Sequence, residues 1–308
     1  MIEISNLTKT LGMKRAISDL SFCIEHQECV GLLGSSGAGK TTLLNLMAGV
    51  MKPTTGHIKI ERFNIGSHPV QAKKQIGYQL DTGLCHCTLS VNGFLNFIAS
   101  VHGFRGAEHR RRVDMAASRL ALWPVFDYPI NTLSFGLKRK VAIAQAILHD
   151  PRVLLLDEPT AGLTPTQQLK LMTLIRSLAE EMAVIVTSRH GDELANLCTR
   201  ALVLADGHLV ADAPLAQLQR NSRHSQAITL ACDTPLDLLA LAVLPGVAGI
   251  EENRLAPGTV TVLAMPGHAI YPPINALIAS RGWNITAVSL EPGRLSDVVN
   301  HLSQGSPL

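Results

Sequence analysis

The chain reads as an α/β protein with a smaller α+β domain behind it, and three stretches carry that reading. A glycine-rich loop, GSSGAGKTT from Gly34 to Thr42, lies between an apolar run at residues 29–33 and a helix-like run at residues 43–48. A second apolar run, residues 153–156, ends directly in Asp157 and Glu158. A continuous apolar run of that kind is a strand buried on both faces of a parallel sheet. After residue 226 the patterning follows a strand-helix-strand-strand-helix-strand order, which predicts a small ferredoxin-like α+β domain.

The elements follow in order. Ile2 and Ile4, then Leu20, Phe22 and Ile24, alternate with polar residues. They predict antiparallel strands with turns at Leu11-Gly12 and at residues 25–27. The glycine loop and its helix follow, ending near Gly49. Residues 53–56 form a turn, and residues 57–60 and 75–79 are short strands. Between residues 88 and 150 the spacing turns helical, at residues 91–102, 107–122 and 137–149, which marks a helical insertion between strands. Beyond the run at 153–156 come a helix at 166–181, a strand at 184–187 and a helix from Asp192. Strands at 201–205 and 208–211 flank an Asp206-Gly207 hairpin turn, and a short helix at 215–220 closes the first domain at residues 1–220. Residues 221–226 are polar and read as a linker. Residues 227–308 then hold the small domain, with strands at 227–232, 247–252, 259–264 and 285–290 and helices at 235–243, 268–280 and 295–302. Val247, Ile250, Val260 and Val262 read as its sheet core.

A chain of 308 residues suits one large domain and one small one. With 46% hydrophobic but only 4% aromatic residues, the core is built from Leu, Val, Ile and Ala. A net charge of +3 is too mild for a nucleic-acid binder that works through a large basic field. Arg110-Arg111-Arg112 reads as a solvated helix face. No apolar segment is long enough to cross a bilayer, and the first residues lack the basic start and apolar core of a signal peptide. The expectation is a chain that stays in the cytosol and reaches a membrane only through a partner. Six scattered cysteines fit a reducing compartment. Cys85-His86-Cys87 is spaced too tightly for the usual zinc pairs and reads as an incidental loop.

The chemistry starts at the glycine loop. Gly34, Gly37 and Gly39 carry no Cβ, so the backbone can curl and aim its N–H groups at phosphate oxygens. The helix that follows adds its positive end. Lys40 can neutralise β- and γ-phosphate charge, and the Thr41 hydroxyl can ligate magnesium. Asp157 at a strand end can hold magnesium, and Glu158 can orient or deprotonate an attacking water. Ser134-Phe135-Gly136, ahead of a helix, offers a second anion site from a hydroxyl and helix-terminal N–H groups.

The order GSSGAGKTT, LSFGLKRK, LLLDEPTAGL, with a helical insertion between the first and last, resembles the ATP-binding subunit of ABC transporters over residues 1–220. The tail, ending in GRLSDVVNHLSQG, looks like the C-terminal extension of ABC-2 type exporter ATPases. The resemblance implies a P-loop ABC ATPase domain that binds ATP and Mg2+. Its ATP-binding set is Leu11 and Gly34, Ser35, Ser36, Gly37, Ala38, Gly39, Lys40, Thr41 and Thr42. Catalysis falls to Glu158 and Lys40 with His190 or Arg189, and the metal set is Thr41, Asp81 and Asp157. It further implies that Ser134, Phe135 and Gly136 of a second ATPase subunit, identical or not, close each ATP site. A separate ABC-2 type transmembrane permease would dock near residues 79–89, placing the chain on the cytoplasmic membrane face.

Four positions depart from the family pattern. Leu11 stands where an aromatic usually stacks on adenine, and Asp81 stands where glutamine is usual. Thr164 replaces the aspartate of the loop after Glu158. At the switch position an ungapped reading gives Arg189, and a one-residue shift gives His190. The reading leans to His190, because an imidazole can both donate to phosphate and sense water. Because the hydrolysis set is intact and the coupling set altered, the expectation is a slow ATPase. The alternatives are a regulatory subunit that pairs with a different ATPase chain, and a soluble ABC protein acting on DNA or ribosomes. The small domain is expected to serve dimer contact or regulation.

Overall fold

A computed structural model describes residues 1–79, 88–189, 191–233, 235–253 and 258–303. The chain forms two compact units, Met1–Asp212 and Ala213–Leu308. In chain order the first unit's strands are β1 (Ile2–Leu11), β2 (Lys14–Ile24), β3 (Cys29–Leu33), β4 (Thr55–Ile60), β5 (Phe63–Asn64), β6 (Ile76–Gln79), β7 (Val153–Leu156), β8 (Ala183–Ser188), β9 (Arg200–Ala205) and β10 (His208–Pro214). Its helices are α1 (Lys40–Met47), α2 (Pro69–Lys73), α3 (Val91–Val101), α4 (Gly106–Arg119), α5 (Phe135–Ile147) and α6 (Pro165–Ala179).

Two sheets share one core. An antiparallel sheet runs β2-β1-β4-β5, and a six-stranded sheet runs β10-β9-β3-β8-β7-β6. Every residue of β3, β7 and β8 is buried, as strands covered on both faces must be. In β1 only Ile2, Ile4 and Leu7 are buried, so that sheet packs one face on the core. The parallel register decides where the site lies. Leu33 of β3 pairs with Ser188 of β8, and Leu156 of β7 pairs with Val186 of β8. The carboxyl ends of three central strands therefore finish side by side. The glycine loop, Asp157 and residues 187–189 emerge along one edge, which is where open α/β sheets place their ligands.

The helical insertion is present as α3, α4 and α5. Ser90 caps α3 by accepting the Gly93 N–H at 3.0 Å. α5 starts at Phe135, two residues ahead of the sequence-based expectation, because Ser134 takes the N-cap conformation. The helix expected from Asp192 is a single 3-10 turn, Gly191–Leu194. Leu194 is fully buried and its methyl lies 3.2 Å from where a Cβ on Gly31 of β3 would stand. The Thr199 N–H already donates to the Cys29 carbonyl. The chain must rejoin the sheet there, and no room remains for further turns.

The second unit comprises α7 (Leu215–Arg220), β11 (Ile228–Cys232), α8 (Leu238–Ala242), β12 (Val247–Glu252), β13 (Thr259–Ala264), α9 (Tyr271–Arg281), β14 (Ile285–Leu290) and α10 (Leu295–Ser303). Its sheet order β12-β13-β11-β14, antiparallel throughout, is that of a split βαβ ferredoxin-like fold. Ile228, Leu230, Val260, Val262 and Ile274 fill its core. The division after Asp212 differs from the expected linker at 221–226. Ser222 and His224 are buried within the second unit. The His224 ring faces Asp297 Oδ2 at 2.5 Å and Glu251 Oε2 at 2.8 Å. Two acceptor-only carboxylates draw this polar stretch inward, and α7 packs on α10 with it.

Candidate functional site

The loop between β3 and α1 is shaped by its glycines. Gly34, Gly37 and Gly39 have φ of 154°, 81° and 109°, a region that side chains disfavour. A Cβ on Gly34 would stand 2.5 Å from the Leu204 carbonyl oxygen, and one on Gly39 would stand 2.8 Å from that of Ala16. β2 and the β9–β10 turn thus press on the loop from behind. Two backbone bonds complete the brace: Gly207 N–H to the Ala38 carbonyl at 3.0 Å, and Ser18 N–H to the Gly207 carbonyl at 2.9 Å. Ser35, Ser36 and Gly37 are left exposed at the crest, and Thr41 is exposed at the first turn of α1, with Thr42 half-buried beside it.

Lys40 is buried, and its Nζ reaches back to donate to the carbonyls of Gly34 (2.7 Å) and Ser35 (2.9 Å). Burial pushes its ammonium below the ordinary range. Glu158 pulls it up, Arg189 pushes it down and Asp157 pulls it up again. Residues 157, 158 and 189 thus lie within electrostatic reach of Lys40.

Thr187 holds the two carboxylate residues. Its Oγ1 donates to Asp157 Oδ1 at 2.8 Å and accepts the Glu158 N–H at 2.7 Å. Thr187 is fully buried, as Asp157 nearly is. The Asp157 N–H donates to the Gln79 carbonyl at 3.1 Å, so β6 fixes the other side. Glu158 adopts φ of 43°, a strained backbone for a residue with a Cβ. Its side chain turns to Arg189, whose Nε donates to Glu158 Oε1 at 2.7 Å. Sequence reasoning passed over Thr187. The available signal was a hydroxyl residue inside an otherwise apolar strand run. Thr187→Val keeps the shape and removes the hydroxyl, which leaves a buried carboxylate oxygen and a backbone N–H short of a partner. It is expected to lower unfolding stability by about 1–3 kcal/mol, measured by urea denaturation. An unchanged midpoint would show the bridge to be dispensable.

The remaining candidates fall in separate places. Ser134 caps α5 through its backbone, and its side chain makes no capping bond. Phe135 is exposed, with the Arg139 guanidinium 4.9 Å over its ring. Ser134 and Gly136 line a cavity of about 110 Å³ with Leu163, Gln167, Lys140 and Lys170. Burial, then Lys170, pushes the Lys140 ammonium down. Thr164 caps α6 in a reciprocal box with Gln167. Leu11 stands exposed at the tip of the β1–β2 hairpin. Asp81 and His190 lie outside the described residues, as do Cys85, His86 and Cys87.

A glycine loop between strand and helix, with a buried lysine and a strand-end Asp-Glu pair beside it, defines a P-loop nucleoside triphosphatase. Residues 17–161 match the family model described as ABC transporter. The ABC transporter ATP-binding protein NatA of Bacillus subtilis (strain 168) is 31% identical over 230 residues, 72% of this chain and 93% of that protein. The linearmycin resistance ATP-binding protein LnrL of the same strain is 30% identical over 212 residues, 68% of each chain. Among solved structures, a dimeric post-hydrolysis state of the ATP-binding cassette MJ0796 with ADP and Pi superposes with TM-score 0.63. It is 26% identical and covers 70% of this chain and 99% of that one. The chain belongs to the ABC transporter family as an ATP-binding protein, and it is an ATPase.

Proposed function

We propose that this chain powers an ABC-2 type exporter from the cytoplasmic face of the membrane, as a peripheral subunit paired with a second ATPase subunit and a separate permease. The carrying observation is the Asp157-Glu158 pair, held by Thr187 beside Lys40 and the glycine cradle. Similarity to proteins named for linearmycin resistance and Nod factor export supports export. Among the described residues no helix is long and apolar enough to cross a membrane, which supports a separate membrane partner.

The proposed division of labour follows the geometry. Residues 34–42 hold the ATP phosphates with their N–H groups and Lys40. Thr41 and Asp157 would hold Mg2+, which supplies charge neutralisation between the β- and γ-phosphates. The strand-end position of Asp157 and the exposed Thr41 hydroxyl suit an oxygen-preferring ion. Glu158 takes the proton of the attacking water. Ser134, Phe135 and Gly136 meet the γ-phosphate of a partner subunit's ATP, and Lys140 and Lys170, which line the same cavity, are cations that suit that approach. Arg189 or His190 contacts the γ-phosphate from within the subunit. The small domain serves dimer contact.

Reconstitution tests this reading. The chain should co-purify with a multi-span membrane protein whose presence raises its ATP turnover. With ATP under non-hydrolysing conditions it should dimerise by light scattering. A chain that stays monomeric with ATP and is indifferent to the permease would overturn it. The Arg189–Glu158 ion pair favours one second reading, a low-turnover pairing subunit. That reading expects ATP-dependent association with a non-identical ATPase chain alone.

A further inference from the structure

The second unit holds a cavity of about 690 Å³ to which the nucleotide chemistry gives no use. Every residue that lines it belongs to that unit. Strand alternation explains where it lies. Val260 and Val262 of β13 point into the core, so Thr261 and Leu263 take the opposite face of the sheet. Leu263, Met265 and Pro266 give the cavity an apolar wall, and Met265 is 45% exposed. α10 supplies another side. Asp297 and His301 stand one turn apart on it, and both line the cavity.

The polar groups around this space fall into two sets. One set is spent. Asp297 Oδ2 accepts from Ser222 Oγ at 2.7 Å and faces the His224 ring, while Arg223 pairs with Glu251 Oε1 at 2.9 Å. These bonds hold residues 222–224 against α10 and β12, so that side is in place before any ligand arrives. The other set is unspent. Among the described residues, the side chains of Arg220, Asn221, Gln226 and His301 line the cavity and make no hydrogen bond or ion pair. Asp297 is the one acidic residue on the described lining, and Ser222 and His224 already occupy its carboxylate.

We propose that this cavity binds a small organic anion, an acidic group carried on an apolar body. Its volume falls in the range of small-molecule sites, about 300–1,000 Å³. The apolar body lies against Leu263, Met265 and Pro266. Arg220 takes the acidic group, because a guanidinium offers parallel donors to a planar or tetrahedral anion. A cation would meet Arg220 and Arg223 unfavourably, and a neutral apolar molecule would leave Arg220 unused. The existence of this site does not depend on what the first unit powers.

Two fluorescent dyes test it on the intact chain, with ADP present to occupy the glycine loop. Anilinonaphthalene sulfonate has the proposed chemistry, and N-phenylnaphthylamine is the same ring system without the sulfonate. The sulfonate should bind saturably, one molecule per chain. Arg220→Gln should weaken it by about threefold to tenfold, as loss of a charged hydrogen bond at a partly exposed site does, and leave the neutral dye unchanged. Ala248→Trp places a large ring on an exposed lining position of β12 and should weaken both dyes. Melting curves confirm that each variant is folded, and Arg220, on the surface of α7, can be replaced without touching the core. No saturable binding of the sulfonate would overturn the proposal. So would an Arg220→Gln effect that is absent or equal for the two dyes, or sulfonate binding that Ala248→Trp leaves unchanged.

Discussion

Glu158→Gln lowers steady-state ATP turnover by about 10²-fold or more, the loss expected when a general base is removed. The amide keeps the shape of the carboxylate and can still accept a bond from Arg189, but it cannot take a proton from water. The change is local for a structural reason. The bond that fixes this residue's main chain runs from its N–H to Thr187 Oγ1 and does not involve the side chain. Asp157 keeps its own bond to Thr187, so the proposed magnesium position is untouched. Phosphate release at saturating ATP measures the effect, and equilibrium titration shows that ATP still binds. Equal turnover in the two proteins would remove Glu158 from the chemistry.

Lys40→Ala weakens ATP binding by about tenfold to a hundredfold, on the basis that a hydrogen bond to a charged group contributes about 1.5–3 kcal/mol. The Lys40 ammonium is buried against the Gly34 and Ser35 carbonyls, so it lies in the loop where phosphate oxygens approach. The sign of its pKa shift separates this effect from one on folding. Burial holds the folded-state pKa below the unfolded value, so the folded chain holds this proton less firmly than the unfolded one. The charge therefore costs fold stability near neutral pH, and its loss offsets the loss of the bonds to the Gly34 and Ser35 carbonyls. Alanine should change the melting temperature of the ligand-free chain far less than it changes ATP affinity. A variant that binds ATP normally would show that the loop N–H groups alone suffice.

The legibility of the site tracks how far apart its parts lie in the chain. The glycine cradle is contiguous, and the need for positive φ at Gly34 and Gly39 is written in the residues themselves. Asp157 and Glu158 were legible because an apolar run ends in them. Thr187 was not, because its partners lie thirty residues away and only the β7–β8 register brings them opposite. The switch position shows the same limit. Local spacing left Arg189 and His190 both open, and the pairing with Glu158 is a fact of three dimensions. Thr164 read as a lost aspartate, and the structure gives it a task of its own as the cap of α6. The stretch at 221–226 read as a linker because its composition is polar. Nothing local could reveal that Glu251 and Asp297 would meet His224 from other elements.

The sequence by itself determined the phosphate loop, the strand-end carboxylates, the helical insertion and the βαββαβ order of the second unit. Each of these depends on hydrophobic period or on backbone freedom, which act between near neighbours. Only the tertiary structure decided that the carboxyl ends of β3, β7 and β8 lie side by side, that β2 and Gly207 brace the loop from behind, and that Thr187 and Arg189 take hold of Glu158. Those contacts join residues distant in the chain, and their geometry is set by strand register and burial, which no short stretch of sequence contains. The loop from Gly34 to Thr42 could be read as a cradle for phosphates. The guanidinium that pairs with Glu158 came from just past the end of β8.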